Sequence, residues 1–412
     1  MNDPRIEDRL APRLLLAVFL PFATGYFLSF FFRNVNAVIA RDLARDFALT
    51  PSDLGLLTSA YLLAFALAQL PIGVLLDRYG PRRVMASLLC VAGCGALTFG
   101  LAQDFIMLTL GRALIGLGVS AGLMGAIKGF TMWFPASRLA TLNGWYIAVG
   151  GIGGMSATAP VEAMLGTIGW RMLFYGLAVL SLCAAALIHA AVPEKPLAGK
   201  SESWRAQFGR LKEVFARGDF WRIVMPMVVS HSTYQALQGL WLGTWLADVA
   251  RLERTAVANT LFATIFAYTI GAVFFGTAGD RLSRMGLSRM TVYKLGLSIA
   301  LASFAGIALD VQTGRYAIIL VYGFSVISVA LGYALLTPRF PAEMTGRVAT
   351  ASNLLMFALS FAFQWGIGAV LKQYPVTDGR YAPEGYAVAF GTLAIAQLAA
   401  IAWLWTMKDE KP

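Results

Sequence analysis

Two side chains interrupt apolar stretches with groups that could do chemistry, Arg33 and His231. Arg33 is a permanent cation in a run, residues 14–38, that contains no Asp or Glu. A guanidinium presents a planar fork of donors matched to the oxygens of an organic anion. Tyr26, Ser29, Arg33 and Asn36 recur at intervals of three, four and three, which draws one polar stripe along a helix face. A second role stays open, because Arg33 lies 19 residues past Leu14, about 28 Å along a helix, where a cation can anchor at an interface. His231 is the one mid-span residue of a type that titrates near neutral pH. It opens a dense polar and aromatic group, His231, Tyr234, Gln235, Gln238, Trp241 and Trp245, in which His231, Gln235 and Gln238 share a face. That group can bind a solute, couple a proton through His231, or hydrogen-bond neighbouring helices.

Further polar residues in apolar stretches are Tyr61 and Gln69, Asn143 and Tyr146, Tyr268, and Asn353, Gln364 and Trp365. Carboxylates are absent from mid-stretch positions. Asp104, Glu162 and Asp248 fall near the ends of apolar runs, and Asp77 and Asp280 fall in polar turns. His189 and His231 stand alone, and no nucleophile–base pair, phosphate loop or metal-ligand spacing occurs. No enzyme activity, cofactor or metal is therefore expected. Cys90, Cys94 and Cys183 lie inside apolar runs, where small buried hydrophobes are the expectation.

The elements that must position these groups follow from composition. The chain has 412 residues, 58% hydrophobic and only 13% charged, against about 25% charged in soluble domains. Mean hydropathy is +0.67. Twelve stretches reach the roughly 20 apolar residues that a crossing needs. They are 14–38, 54–76, 84–103, 105–131, 139–161 and 170–192, then 220–246, 257–278, 290–309, 315–337, 348–371 and 386–407. The formal charge of +11 sits between these runs rather than on a soluble face, so nucleic acid is excluded as a partner. Arg5, Arg9 and Arg13 precede the first run, which is longer than the apolar core of a signal peptide and reads as a retained span. With the N-terminus inside, 22 of the 33 basic residues gather on the cytoplasmic face and 9 on the other. The positive-inside rule then puts both termini in the cytoplasm.

The longest polar stretch, residues 193–219, divides the chain into bundles 1–192 and 220–412. Within it Trp204, Phe208, Leu211 and Phe215 recur at helical spacing among basic residues, as in a helix lying on an anionic leaflet or in a solvated linker. The bundles echo each other. Gly73 to Arg83 (GVLLDRYGPRR) returns from Gly276 as GTAGDRLSRMGLSR, and the Phe-Pro-Ala at 134–136 returns at 340–342, both about 200 residues later.

Gly73, Asp77, Arg78, Gly80, Arg82 and Arg83 match at every defined position the signature loop Gly-x-x-x-Asp-Arg/Lys-x-Gly-x-Arg/Lys-Arg/Lys. The chain thereby resembles the major facilitator superfamily. Asp280 and Arg281 keep part of the loop in the second half, Arg112 and Gly116 resemble the family's fourth-helix Arg-x-x-x-Gly, and Gly-Trp-Arg at 169–171 also fits. The resemblance implies an all-α membrane protein of twelve helices in two pseudo-symmetric six-helix bundles, moving a small solute by alternating access. The loop residues would latch one gate state, and Arg112, deep in its span, needs a polar group to receive it.

Organic-anion members carry a substrate arginine on the first helix, then an asparagine, and about 20 residues further an Asp-x-Gly. Arg33, Asn34 or Asn36, and Asp53-Leu54-Gly55 are similar. Organophosphate antiporters add an arginine on the seventh helix, and residues 236–239 hold none. Proton-driven drug exporters carry Gly-Pro-x-x-Gly-Gly on the fifth helix, where Gly150 to Gly154 reads GGIGG. Nitrate transporters place arginines in the second and eighth spans, and neither span has one here. The expectation is a monomer in the plasma membrane, the inner membrane of a bacterium, taking a small organic anion by symport or exchange; drug or metabolite efflux is the alternative.

Overall fold

The computed structural model of the chain describes residues 12–195, 212–284, 287–341 and 344–407. The basic stretch through Lys200 and the positions Trp204, Phe208 and Leu211 lie outside the described residues, as do the side chains of Asp280 and Arg281.

The helices are α1 (Pro12–Asp46), α2 (Pro51–Leu101), α3 (Phe105–Trp133), α4 (Ala136–Ser156), α5 (Ala159–Ala191), α6 (Gly218–Ala236), α7 (Leu242–Asp248), α8 (Arg254–Arg284), α9 (Arg289–Ala308), α10 (Arg315–Arg339), α11 (Thr345–Leu371) and α12 (Pro383–Trp405). One two-residue hairpin, β1 (Val376–Thr377) with β2 (Arg380–Tyr381), sits between α11 and α12. Among the described residues nine helices are long and apolar enough to cross a membrane. One of them, α2, contains two of the expected stretches, 54–76 and 84–103, in 51 residues. Gly80 joins them with φ 78° and ψ 161°, a conformation that any Cβ would strain.

The chain forms two compact units. One comprises Met1–Val35 with Ala60–Trp204, the other Asn36–Ser59 with Arg205–Pro412. The first unit packs Phe22, Phe32, Phe99, Phe130 and Phe174 around the buried Tyr146 and Arg112. Helices approach closely through small residues, as expected where lipid supplies no hydrophobic contrast between helices. In the second unit Trp241, Trp245, Tyr293, Tyr322 and Tyr386 are the large buried side chains. The end of α1 and the start of α2 belong to this unit, and Arg41, Asp42 and Thr50 are placed there by that corner.

Cys90, Cys94 and Cys183 are exposed rather than buried, which corrects the expectation for them. An apolar run cannot distinguish a core-facing position from one that a bilayer would cover, and a small thiol suits both.

Candidate functional site

In the first unit the candidates surround α1. Tyr26 stacks on Tyr146, with ring centroids 4.3 Å apart. The Tyr146 hydroxyl donates to the carbonyls of Gly122 at 2.7 Å and Phe22 at 3.2 Å, which pins α4 against α3 and α1. Two turns along, the Arg33 guanidinium lies over the rings of Phe30 at 4.8 Å and Phe65 at 5.4 Å, a cation held by aromatic faces. Tyr61, one turn before Phe65, donates its hydroxyl to the Ser29 carbonyl at 3.2 Å. Asn143 keeps a buried amide oxygen without a hydrogen bond. Arg112 finds its polar acceptor in the carbonyl of Phe32 at 2.9 Å and packs against Phe99 and Phe174.

At the far end of this unit the signature loop ties helices together. Lys128 on α3 donates to Asp77 at 2.5 Å. Arg82 donates to the His189 carbonyl on α5 at 2.9 Å, and Arg82 and Arg83 both pair with Glu194. Lys128 is thus the partner of the loop's aspartate.

In the second unit the seventh stretch is broken. α6 ends at Ala236, a π turn runs Leu237–Trp241, and α7 continues from Leu242. Such turns open an extra residue in a helix and recur at functional positions. Tyr234 stacks on Tyr268 at 4.7 Å, with Tyr322 at 6.1 Å and His231 at 6.5 Å from the same ring. Ser230 Oγ, Gln235 Nε2, Gln238 Oε1 and Tyr322 Oη are buried without a hydrogen-bond partner, while Gln238 Nε2 donates weakly to the Leu261 carbonyl at 3.3 Å. A buried polar atom left so costs about 1–3 kcal/mol, which a water or solute can recover.

The remaining candidates divide. Trp241 donates its indole N–H to the Gln364 carbonyl at 2.8 Å, and Asn353 accepts from Tyr333 at 2.6 Å. Asn36 donates to Thr58 at 2.5 Å in the corner of α1 and α2. Trp365 is 44% exposed.

One group that sequence reasoning passed over lies at the end of α7. Asp248, set aside as terminal, is buried. It receives Arg41 Nη2 at 2.8 Å, the Tyr386 hydroxyl at 2.8 Å and the Tyr381 N–H at 3.4 Å. Next to Arg41, Asp42 accepts Arg254 through both oxygens, at 3.2 and 2.7 Å. A cavity of about 660 Å³ opens beside them, lined by Arg41, Arg45, Thr50, Asp248, Arg380 and Tyr381 among others.

With this geometry in hand, residues 22–364 match the profile of the Major Facilitator Superfamily. The chain belongs to that superfamily. It is a multi-pass membrane protein and a secondary transporter of a small solute, not an enzyme. It is 25% identical over 321 residues to the probable sulfoacetate transporter SauU of Cupriavidus necator, covering 73% of this chain and 74% of that one. It is 30% identical over 225 residues to the nitrate/nitrite transporter NrtP of a Picosynechococcus strain, covering 48% of this chain but only 42% of that protein. The fold is similar to that of a D-xylose–proton symporter, with a TM-score of 0.75 at 15% identity over 95% of this chain and 97% of that one.

Proposed function

We propose that this transporter carries a small organic anion across a bacterial inner membrane as a monomer with twelve crossings and both termini cytoplasmic. Residues 1–192 and 220–412 act as the two moving halves, joined by 193–219. The observation that carries the charge assignment is Arg33, a guanidinium seated over Phe30 and Phe65 in a helix run that holds no acid. Relatives named for sulfoacetate and for nitrate/nitrite support an anionic solute. In this reading Arg33 supplies the charge, with Tyr26, Tyr61, Asn36, Asn143 and Tyr146 as its supporting groups. Tyr234, Gln235, Gln238, Trp241 and Asn353 supply hydrogen bonds and aromatic surface. His231 is the group through which substrate movement would couple to a proton. The loop of Gly73, Asp77, Arg78, Gly80, Arg82 and Arg83, with Asp280 and Arg281 in the second half, serves gating.

The test is uptake by purified protein in liposomes against a panel of carboxylates and sulfonates, with Arg33→Gln and Arg33→Lys beside the parent. Arg33→Gln abolishes uptake and Arg33→Lys weakens it, because an ammonium keeps the charge but loses the planar fork. Undiminished anion uptake by Arg33→Gln rejects the reading.

A further inference from the structure

The corner where α1 turns into α2 is closed over a carboxyl that neither the substrate groups nor the signature loop accounts for. Asp248 ends α7, beyond the expected span, and its side chain is 4% exposed. Arg41, its charged neighbour from α1, is 49% exposed. The pairing is therefore lopsided. Asp248 bears nearly the full cost of leaving water, while the attraction that should offset it is screened on the arginine's side. The other contacts suit either charge state. One carboxyl oxygen faces Arg41, and the other faces the Tyr386 hydroxyl on α12, which can donate to a carboxylate or accept from a carboxylic acid. Tyr381 on β2 offers a longer N–H contact. The remaining ionisable groups around the adjoining cavity are Arg45 on α1 and Asp378 and Arg380 in the hairpin, and Arg45 lies within reach of Asp42 and Asp46.

We infer that Asp248 is a proton-binding carboxyl that lets the α1–α2 corner close when protonated and loosens that corner when ionised. The second pair, Asp42 with Arg254, lies partly in solvent and ties the same corner to α8. Burial, as the largest influence, raises the Asp248 carboxyl above the ordinary carboxylate range; the Tyr386 hydroxyl and Arg41 pull the other way and do not overcome it. Tyr381 is pushed up to about 12, first by burial and then by the charge of Asp248, so it stays neutral throughout. A closed corner that holds the proton more tightly than an open, solvated carboxyl is favoured at low pH. It loses that support as pH rises through the raised value. The proton binds a carboxyl oxygen of Asp248 as the corner closes and returns to solvent through the cavity as it opens. The inference deepens the transporter reading by naming a residue through which proton binding and gate closure are linked. It does not depend on which solute is carried.

The experiment measures the corner itself. Nitroxides are attached at Ala44→Cys and Val376→Cys, on two sides of the cavity, in full-length protein whose Cys90, Cys94 and Cys183 are replaced by serine. Pulsed electron–electron distance measurements then follow the pair from about pH 5 to about pH 9, a range that spans documented values for buried carboxyls. The expected result is a short distance at low pH that gives way to a longer one as pH rises. Asp248→Asn should remain short throughout, and Asp248→Glu should still titrate, which shows that the position tolerates change. A parent distribution unmoved by pH overturns the inference. So does an Asp248→Asn protein that is long at every pH, since the ionised pair would then be what holds the corner shut. No substrate enters the measurement, so failure of the anion assignment leaves this result readable, and the reverse also holds.

Discussion

Gly116→Ala tests how tightly the helix interface behind Arg33 is made. A methyl at residue 116 of α3 would lie 2.2 Å from the Tyr61 carbonyl oxygen and 2.8 Å from that residue's carbonyl carbon and Cα, where ordinary contact begins near 3.4 Å. These are backbone atoms of α2 and cannot turn aside, so α3 and α2 must part by about 1 Å. Overpacking of this kind costs about 1–3 kcal/mol or more, and the better helix propensity of alanine returns about 1. Because the clash is with backbone, the cost falls at the upper end of that range, and the net loss should be about 2 kcal/mol. Gly144 provides the control, because a methyl there meets nothing within 4 Å, and Gly144→Ala should gain up to about 1 kcal/mol from propensity alone. The displacement also has a functional reading. Tyr61 holds the Ser29 carbonyl, and Phe65, one turn on, lies under Arg33, so Gly116→Ala should raise the KM for uptake where Gly144→Ala does not. The assays are thermal melting in detergent and concentration-dependent uptake in liposomes. A Gly116→Ala protein as stable as Gly144→Ala, with the parent's KM, would refute the packing argument.

Substitutions at two further contacts separate strong ones from weak ones. Lys128 and Asp77 are 27% and 47% exposed at the side chain, so Lys128→Ala or Asp77→Asn should cost less than about 1 kcal/mol of stability. A double-mutant cycle on melting temperature should give a coupling of that order, and one above about 2 kcal/mol would mean that the loop is desolvated. Trp241→Phe removes a buried indole donor from the Gln364 carbonyl, which keeps its intrahelical N–H partner in α11, so the loss should be about 0.5–1.5 kcal/mol. Unchanged melting by circular dichroism would show that this bond contributes nothing.

The membrane helices and the signature loop could be read from sequence because both depend on neighbours along the chain. Apolar runs report on lipid, and the Gly80 turn is forced by a residue that tolerates positive φ. The polar group at 231–245 was visible for the same reason, but its shared face was not fixed. Counting at 3.6 residues per turn puts His231, Gln235 and Gln238 together, and the π turn at Leu237–Trp241 inserts a residue just where Gln238 must be placed. Asp248 was hidden by a different cause. Its burial depends on Arg41, 207 residues away, and on Tyr386, 138 residues away, and no periodicity along one helix carries that information.

The structure also redistributes the weight of the resemblance to organic-anion carriers, which combined an arginine, an asparagine and an Asp-x-Gly. Asp53 accepts from the Thr50 N–H at 3.0 Å and from its hydroxyl at 2.6 Å, while Thr50 Oγ1 receives the Asp53 N–H at 3.3 Å. That is a reciprocal cap on the first turn of α2, with Pro51 at the first helical position. Gly55 admits the Gln364 carbonyl and Trp241 so closely that a Cβ would meet them at 3.0 and 3.3 Å. Asn34 donates to the Phe30 carbonyl at 2.8 Å and Asn36 to Thr58. Asp53, Gly55 and Asn36 thus have tasks in building the corner and Asn34 bonds within its own helix, so a carrier of any solute folded this way would have reason to keep them. Arg33 differs from them in charge, being a cation laid over two phenylalanine rings in a stretch that holds no acid. The choice between an anion and any other solute therefore turns on that one guanidinium.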